Sequence, residues 1–143
     1  VEDRRRTKLL VASQTRVIEA AVDLCFWWVP CTPVVSVDPH DPADMWHLSA
    51  VFTSPVATAR LLHAAAGSGL SPVAVRVSAS RLAALPLPVP GPAWDRAAEA
   101  ARVAARAGGD RGAVVEVGAA AMAAYGIDDP ELLDWWAALL PDR

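Results

Sequence analysis

Apolar and polar positions alternate near the start of the chain in a way that is typical of short β-strands. Residues 8–17 read K-L-L-V-A-S-Q-T-R-V, apolar or β-branched at both ends and polar at Ser13 and Gln14. We therefore expect the first strand to be interrupted there. A second strand is expected over 15–22, where both faces mix apolar and polar residues.

A third strand is predicted after a turn at Asp23. Residues 27–37 read W-W-V-P-C-T-P-V-V-S-V, a run of aromatic and β-branched residues. Because Pro30 and Pro33 lack the backbone N–H that a strand ladder uses, this strand belongs at an edge or a bulge. The simplest interpretation of the three runs is a small antiparallel sheet.

Helical spacing of apolar residues dominates the rest of the chain, apart from one further strand over 73–78. Asp44 is placed to cap a helix that begins near Met45, and Ser54 with Pro55 starts the next helix, so that the pair forms a broken helix. The predicted helices cover 45–52, 56–66, 80–85, 92–107, 110–125 and a last stretch capped by Asp129.

These elements predict an α+β fold, a small antiparallel sheet followed by Ala-rich helices. A β-rich unit with the broken helix spans 1–90, and a helical segment over 91–143 packs on it to form one domain. Of the 143 residues, 54% are hydrophobic and 20% are charged, a balance that buries a core and excludes wholesale disorder. Arginines interrupt every apolar run before the roughly 20 residues that a membrane span needs.

The net charge and the cysteine content limit the kinds of partner and the cellular location that the sequence predicts. Thirteen Lys and Arg against 16 Asp and Glu give a net charge of −3, the opposite of a nonspecific nucleic-acid binder, so any DNA contact must be local. Cys25 and Cys31 are too few for a disulfide framework, so a reducing cytoplasm is the expected location. The chain opens on Val1 without a signal-peptide pattern and reads as a piece of a longer protein.

Most catalytic signatures are absent. The sequence has no glycine-rich phosphate loop, no nucleophile elbow and no zinc-binding helix motif, which argues against an autonomous enzyme. One loop could ligate a metal if it folded back on the following helix. Its acids and imidazoles are Asp38, His40, Asp41, Asp44 and His47. Their spacing matches no standard site, and a turn followed by a helix cap explains the same residues, so no metal site is expected.

The polar stretch at residues 13–16 carries the chemistry of base recognition. Gln14 presents a donor and an acceptor to adenine, and Arg16 can bridge two acceptors on guanine. A solvated strand face or a bulge would give the same residues, so both interpretations stay open. Lys8, with the arginines at 4–6, has the charge to neutralise phosphates, although a frayed, charged terminus gives the same pattern.

The order of several segments resembles a known family. The chain contains, in sequence, T-K-L-L-V-A-S-Q-T-R-V-I-E-A-A-V-D, W-V-P-C-T-P-V-V-S-V, W-H-L-S-A-V-F-T-S-P-V-A-T-A-R-L-L, S-A-S-R-L-A-A-L-P-L-P-V-P and A-A-A-M-A-A-Y-G-I-D-D-P-E-L-L-D-W. This order resembles the C-terminal target-recognition region of adenine-specific DNA methyltransferases of the TaqI-like and bifunctional restriction-modification type. The similarity covers about residues 7–140, and Thr53 stands where the family's helix break has Asn.

The resemblance implies a non-catalytic module that recognises a DNA sequence. The family's Asn-Pro-Pro-Tyr motif and its S-adenosylmethionine-binding glycine motif are absent from this chain. Methyl transfer and its cofactor would therefore belong to a catalytic domain N-terminal to Val1, in cis or in trans, which flips the adenine while this region grips the double-stranded DNA around it. The candidate DNA-binding residues are Gln14, Thr15, Arg16, Arg76, Arg81 and Lys8.

An alternative from another class is a protein-interaction or scaffold domain. Its Ala-rich helices and exposed Trp side chains would dock on a partner. The Trp pairs at 27–28 and 135–136 have the rings for base stacking, but we expect one ring of each pair to pack inside and the other to lie on a surface that meets another domain.

Overall fold

The computed structural model of the protein describes residues 6–65 and 75–142. The strands are β1 (Lys8–Ala12), β2 (Gln14–Thr15), β3 (Ala20–Asp23), β4 (Val34–Val37) and β5 (Val75–Arg76). The α-helices are α1 (Met45–Phe52), α2 (Pro55–Ala65), α3 (Ala79–Ala83), α4 (Pro92–Arg106), α5 (Arg111–Ala124) and α6 (Pro130–Leu139). A small antiparallel sheet followed by helices confirms the predicted α+β class.

The sheet has the order β3-β1-β4, and both outer strands run antiparallel to β1. The predicted second strand over 15–22 is wrong as one element, because the chain leaves the ladder between β2 and β3. In that gap the backbone N–H of Ile18 donates to the Thr58 hydroxyl, and at its end the N–H of Ala20, the first residue of β3, donates to the Thr53 hydroxyl. Side chains of the broken helix therefore divide the predicted strand.

The predicted third strand over 27–37 is wrong in its first half, since only Val34–Val37 forms a strand. Residues 24–33 form a connection, here named the crossover loop, that carries the chain from one edge of the sheet to the other. Its Trp28 backbone N–H donates to the Asp23 carboxylate at 3.1 Å, which holds the loop against the sheet. The prolines of this segment favour such an irregular path.

The two faces of the sheet have different neighbours. Leu9 and Val11 are fully buried and face the helices. Because strand residues alternate, Lys8 and Leu10 face the other way, toward the crossover loop. The largest buried cluster joins the sheet to helices from both halves of the sequence, including Leu9, Phe52, Ala97 and Val117.

Several predicted caps are confirmed. Ser54 accepts a hydrogen bond from the Ala57 N–H at 3.1 Å, so α2 begins where the Ser-Pro pair predicts. Asp129 caps α6 in the same manner, as predicted, and Asp110, which was expected as the first residue of a helix, caps α5. Asp44 is not a side-chain cap, because Asp41 instead caps a short 3-10 helix that precedes α1. Residue 66, the last of the helix predicted over 56–66, lies outside the described residues, as do 73 and 74 of the predicted strand.

The Ala-rich helices pack against one another. Ala97, Ala101 and Ala104 of α4 are buried on the side that meets the rest of the core. Helix α6 closes on α5 through Trp136, whose side chain is fully buried against Gly118, and the second ring of the pair, Trp135, is exposed. None of the helices in the described part of the chain is long and apolar enough to cross a membrane.

Candidate nucleic-acid interface

The candidate site begins where one strand exchanges partners. The Ser13 N–H donates to the Pro33 carbonyl at 2.7 Å, on the side of β4, and the Ser13 carbonyl accepts from the Val77 N–H at 2.9 Å. The chain passes at this residue from the main sheet into a two-stranded ribbon formed by β2 and β5. The predicted interruption at Ser13 is therefore a change of pairing partner.

The ribbon places Gln14 directly opposite Arg76, in an antiparallel pair. Directly opposed residues project to the same face, with Cβ atoms about 5 Å apart. Both side chains are exposed, and neither makes a hydrogen bond or an ion pair with another described residue. Two residues that are 62 positions apart in the sequence thus offer their amide and guanidinium groups side by side.

Arg81 joins this pair from the start of the next helix. Its Nη1 donates to the Arg76 carbonyl oxygen at 3.3 Å. The backbone N–H of Arg81 is in turn bound by the capping hydroxyl of Ser78 at 3.3 Å, so α3 begins immediately behind the ribbon. The predicted residues Gln14, Arg76 and Arg81 are therefore brought together.

Thr15 and Arg16 lie at the end of β2. The Thr15 hydroxyl donates to the Val17 carbonyl at 2.6 Å and stabilises the bend that follows. Arg16 is exposed and forms no hydrogen bond or ion pair within the described residues. The next side chain, Val17, is buried with Val114 and Trp136 and anchors the base of the ribbon to the helices.

Lys8 must be removed from the DNA-binding set. Its side chain is buried, and its ammonium lies 2.7 Å from the Asp23 carboxylate, beneath the crossover loop. Burial acts to raise the pKa of Asp23, but hydrogen bonds from Lys8 and from the Trp28 N–H outweigh it and hold the pKa below its usual value. The sequence pattern could not reveal this pairing, since Lys8 and Asp23 meet only through the register of β1 and β3.

The acidic and histidine side chains of the loop over 38–47 do not come together as a group of metal ligands. Asp38 pairs with Arg6 at 2.6 Å, Asp41 caps the 3-10 helix, and His47 contacts Asp95 at 2.9 Å. No group of three or more metal-ligating side chains occurs among residues 6–65 and 75–142. The turn-and-cap interpretation therefore explains Asp41, although it had assigned the cap to Asp44.

The segment at the end of α5 contacts the proline-rich stretch that follows α3. The hydroxyl of Tyr125 donates to the Pro86 carbonyl at 2.6 Å, which joins the Y-G-I-D-D segment to the L-P-L-P segment. Burial raises the pKa of Tyr125 to about 12. This contact ties the extended stretch that follows α3 to the end of α5.

One surface, a cleft between the crossover loop and α4, was not predicted from the sequence. A cleft of about 710 Å³ lies between the crossover loop and α4, with Trp27, Trp28, Arg102 and Arg106 in its lining. Arg102 lies over the Trp46 ring at 5.7 Å from the centroid. Arg102 and Arg106 lie one helical turn apart, and this spacing indicates a basic face on the helix. The cleft itself was not expected, because its opposite wall, the crossover loop, was predicted as part of a strand.

Comparisons of the chain with models of protein families, with curated proteins and with solved structures give no significant match.

Proposed function

We propose that the chain is a DNA-recognition module of an adenine-specific DNA methyltransferase and that the β2–β5 ribbon reads base edges. The observation that carries this proposal is the cross-strand pair of Gln14 and Arg76, exposed and without partners among the described residues. A two-stranded ribbon fits the major groove, where Gln pairs with adenine and Arg with guanine. Arg16 and Arg81 flank the pair, and Thr15 fixes the bend beside it.

The spacing of the two opposed side chains determines which base pairs such a ribbon can contact. Opposed Cβ atoms lie about 5 Å apart, and base pairs rise by about 3.4 Å along each strand. Gln14 and Arg76 would therefore address neighbouring base pairs. Since the net charge is −3, phosphate attraction contributes little, and three arginines give a salt slope no steeper than about −2.7 if all three contact phosphates.

In this proposal methyl transfer and its donor, S-adenosylmethionine, belong to a separate catalytic domain. This chain would hold the duplex while that domain extrudes the adenine, an unstacking step that costs a few kcal/mol. Such a role places the chain in the cytoplasm, where the exposed thiols of Cys25 and Cys31 stay reduced.

The test is binding of the full chain to duplexes selected from a pool with a randomised core. Arg76→Ala and Gln14→Ala are each expected to reduce discrimination at one base pair by about 1–3 kcal/mol, roughly 5- to 150-fold in the dissociation constant. Arg96→Ala is the matched control, because Arg96 is an exposed arginine on α4, away from the ribbon. Failure to enrich any duplex at low salt, or equal losses in all three variants, would reject the proposal.

A second candidate, a protein-docking domain, is favoured by one observation. The side chains of Trp27 and Trp28 are 84% and 52% exposed on the crossover loop. Large aromatic side chains at a surface are typical of protein interfaces. The Ala-rich part of this alternative is weaker, because Ala97, Ala101 and Ala104 are buried within the chain.

A further inference from the structure

The edge of strand β3 that is turned away from β1 borders a groove. One side of β3 pairs with β1, and no described strand pairs with the other. Along that side runs a cleft of about 590 Å³, which shares Val22, Trp28, Trp46 and Ala105 with the cleft of about 710 Å³ beside the crossover loop. The two clefts adjoin at these shared residues, and together they are here named the edge groove, between β3 and the C-terminal half of α4.

Backbone hydrogen-bonding groups point into the edge groove. The Ala20 N–H donates to the Thr53 hydroxyl at 3.0 Å and so points away from β1. Because the outward groups of an antiparallel strand alternate, the N–H and the carbonyl of Val22 point to the same side. No described residue forms a hydrogen bond with those two groups. They are oriented to pair with one more extended segment.

The groove has room for such a segment. Ala105 and Gly108 of the opposing helix region are exposed and have small or no side chains, and both line the cleft together with β3. Natural sheets usually protect a free edge with a charge, a proline or a covering element. The outer strand here reads A-A-V-D, and its one charge, on Asp23, is buried against Lys8.

The end of the edge groove near Asp23 is basic and aromatic. Arg102 and Arg106 line it together with Trp27 and Trp28. Arg106 makes no ion pair with a described residue, and Arg102 has one long contact of 3.3 Å with Glu99. Since Asp23 is engaged by Lys8 and Arg102 by Glu99, Arg106 carries the charge at this end that has no ion pair with a described acid. Carboxylates of a bound segment would be attracted there.

We propose that the edge groove binds an extended peptide segment of a partner protein, which adds as a strand to β3. Backbone pairing with Val22 would fix the segment, and its apolar side chains would cover Trp28 and Ala105. Acidic residues of the segment would face Arg102 and Arg106. Strand addition at an open sheet edge is a general mode of peptide recognition, in which the backbone gives affinity and the side chains give specificity. This proposal does not depend on DNA binding.

The probe is a displayed library of linear peptides selected on the full chain, followed by anisotropy measurements on the labelled winners. The selected peptides are expected to alternate apolar residues and to carry Asp or Glu near one end. Ala105→Glu and Arg106→Glu should each weaken their binding by about tenfold or more. Arg96→Glu reverses the charge of an exposed arginine on the same helix outside the groove, and it should leave the affinity unchanged.

Two further measurements decide the binding mode even if a variant fails to fold. N-methylation of the peptide at alternate amide nitrogens should abolish binding in one register and spare it in the other, because only one edge of the peptide faces β3. Bound peptide should also slow hydrogen exchange at the Val22 amide. The proposal would be overturned if no peptide were enriched, or if the selected peptides bound Ala105→Glu and Arg106→Glu as tightly as the parent. It would also be overturned if peptides methylated in either register still bound. A dimer of the chain that Ala105→Glu dissociates would assign the groove to a second copy and would likewise overturn it.

Discussion

The Lys8 ammonium lies 2.7 Å from the Asp23 carboxylate, and both side chains are buried although they lie on the face of the sheet that is turned away from the helices. The crossover loop covers them. The same carboxylate accepts the backbone N–H groups of Cys25 at 3.2 Å and Trp28 at 3.1 Å. One side chain therefore joins β1, the end of β3 and the loop that presents the exposed Trp side chains.

Removing either partner of this pair should destabilise the fold. Lys8→Met or Asp23→Asn leaves the other group buried without its counter-charge or its full set of hydrogen bonds, and we expect a loss of about 3 kcal/mol in the free energy of unfolding. Arg6→Met is the control, since it removes the Arg6–Asp38 pair, whose members are 60% and 38% exposed. That change should cost less than about 1 kcal/mol. Urea unfolding measures all three, and equal losses would contradict the assignment.

The depressed pKa of Asp23 predicts sensitivity to acid. Its pKa in the folded chain lies below the usual 3.8, so the unfolded chain takes up the proton first as the pH falls. The stabilisation is therefore complete above about pH 4 and is lost as the pH drops through the folded-state pKa. The difference in unfolding free energy between the parent and Asp23→Asn should shrink over this acidic range. A difference that stays constant there would exclude this carboxylate as the source.

Close packing at Gly118 predicts an intolerant position. A Cβ at Gly118 would lie 2.5 Å from Trp136 Cζ3, and the indole is fully buried and cannot move aside easily. Gly118→Ala gains up to about 1 kcal/mol of helix propensity, but overpacking costs about 1–3 kcal/mol. We expect net destabilisation by thermal unfolding. Gly112→Ala in the same helix is the control, because its Cβ would meet only a carboxylate oxygen of Asp110 at 3.2 Å.

The fold class, the antiparallel sheet and most helices were predictable because hydrophobic spacing and capping residues act locally. The Ser-Pro pair at 54–55 and the Asp129 cap of α6 are examples. The crossover loop was not predictable, since aromatic and β-branched residues favour a strand wherever they occur. Its path depends on Asp23, whose hydrogen bonds to the loop are invisible in local sequence patterns.

In the candidate site, too, local features were predictable from the sequence and long-range contacts were not. The chemistry of Gln14, Arg16 and Arg76 can be seen in the sequence, but the pairing of Gln14 with Arg76 is a long-range contact that one sequence does not reveal. Lys8 carries the charge that binding a phosphate requires, so the sequence alone allowed that role. Its side chain is buried in the structure, and this burial gives it a structural role instead. The edge groove depends on how β3 lies beside α4, so no local pattern predicts it.

Thr53 and Thr58 are predicted to hold the base of the ribbon. They accept the backbone N–H groups of Ala20, the first residue of β3, at 3.0 Å and of Ile18, between β2 and β3, at 3.3 Å. Replacing either by the isosteric Val leaves a buried N–H unsatisfied, at a cost of about 1–3 kcal/mol. Hydrogen exchange at those two amides should accelerate more than exchange in α5. Unchanged exchange at Ile18 and Ala20 would show that the hydroxyls do not hold this segment.

The raised pKa of Tyr125 predicts a loss of stability in alkaline solution. Burial raises this pKa from its usual 10.0 to about 12, so the folded chain keeps the phenolic proton after the unfolded chain has released it. Its contribution to stability is complete below pH 10 and is lost as the pH rises toward 12. Because the sequence contains a single Tyr, near-ultraviolet absorbance follows its ionisation directly. Tyr125→Phe should cost about 1 kcal/mol at neutral pH through the lost bond to Pro86, and the difference from the parent should narrow between pH 10 and 12. Ionisation of Tyr125 near pH 10 in the folded protein would contradict its burial and its bond to Pro86.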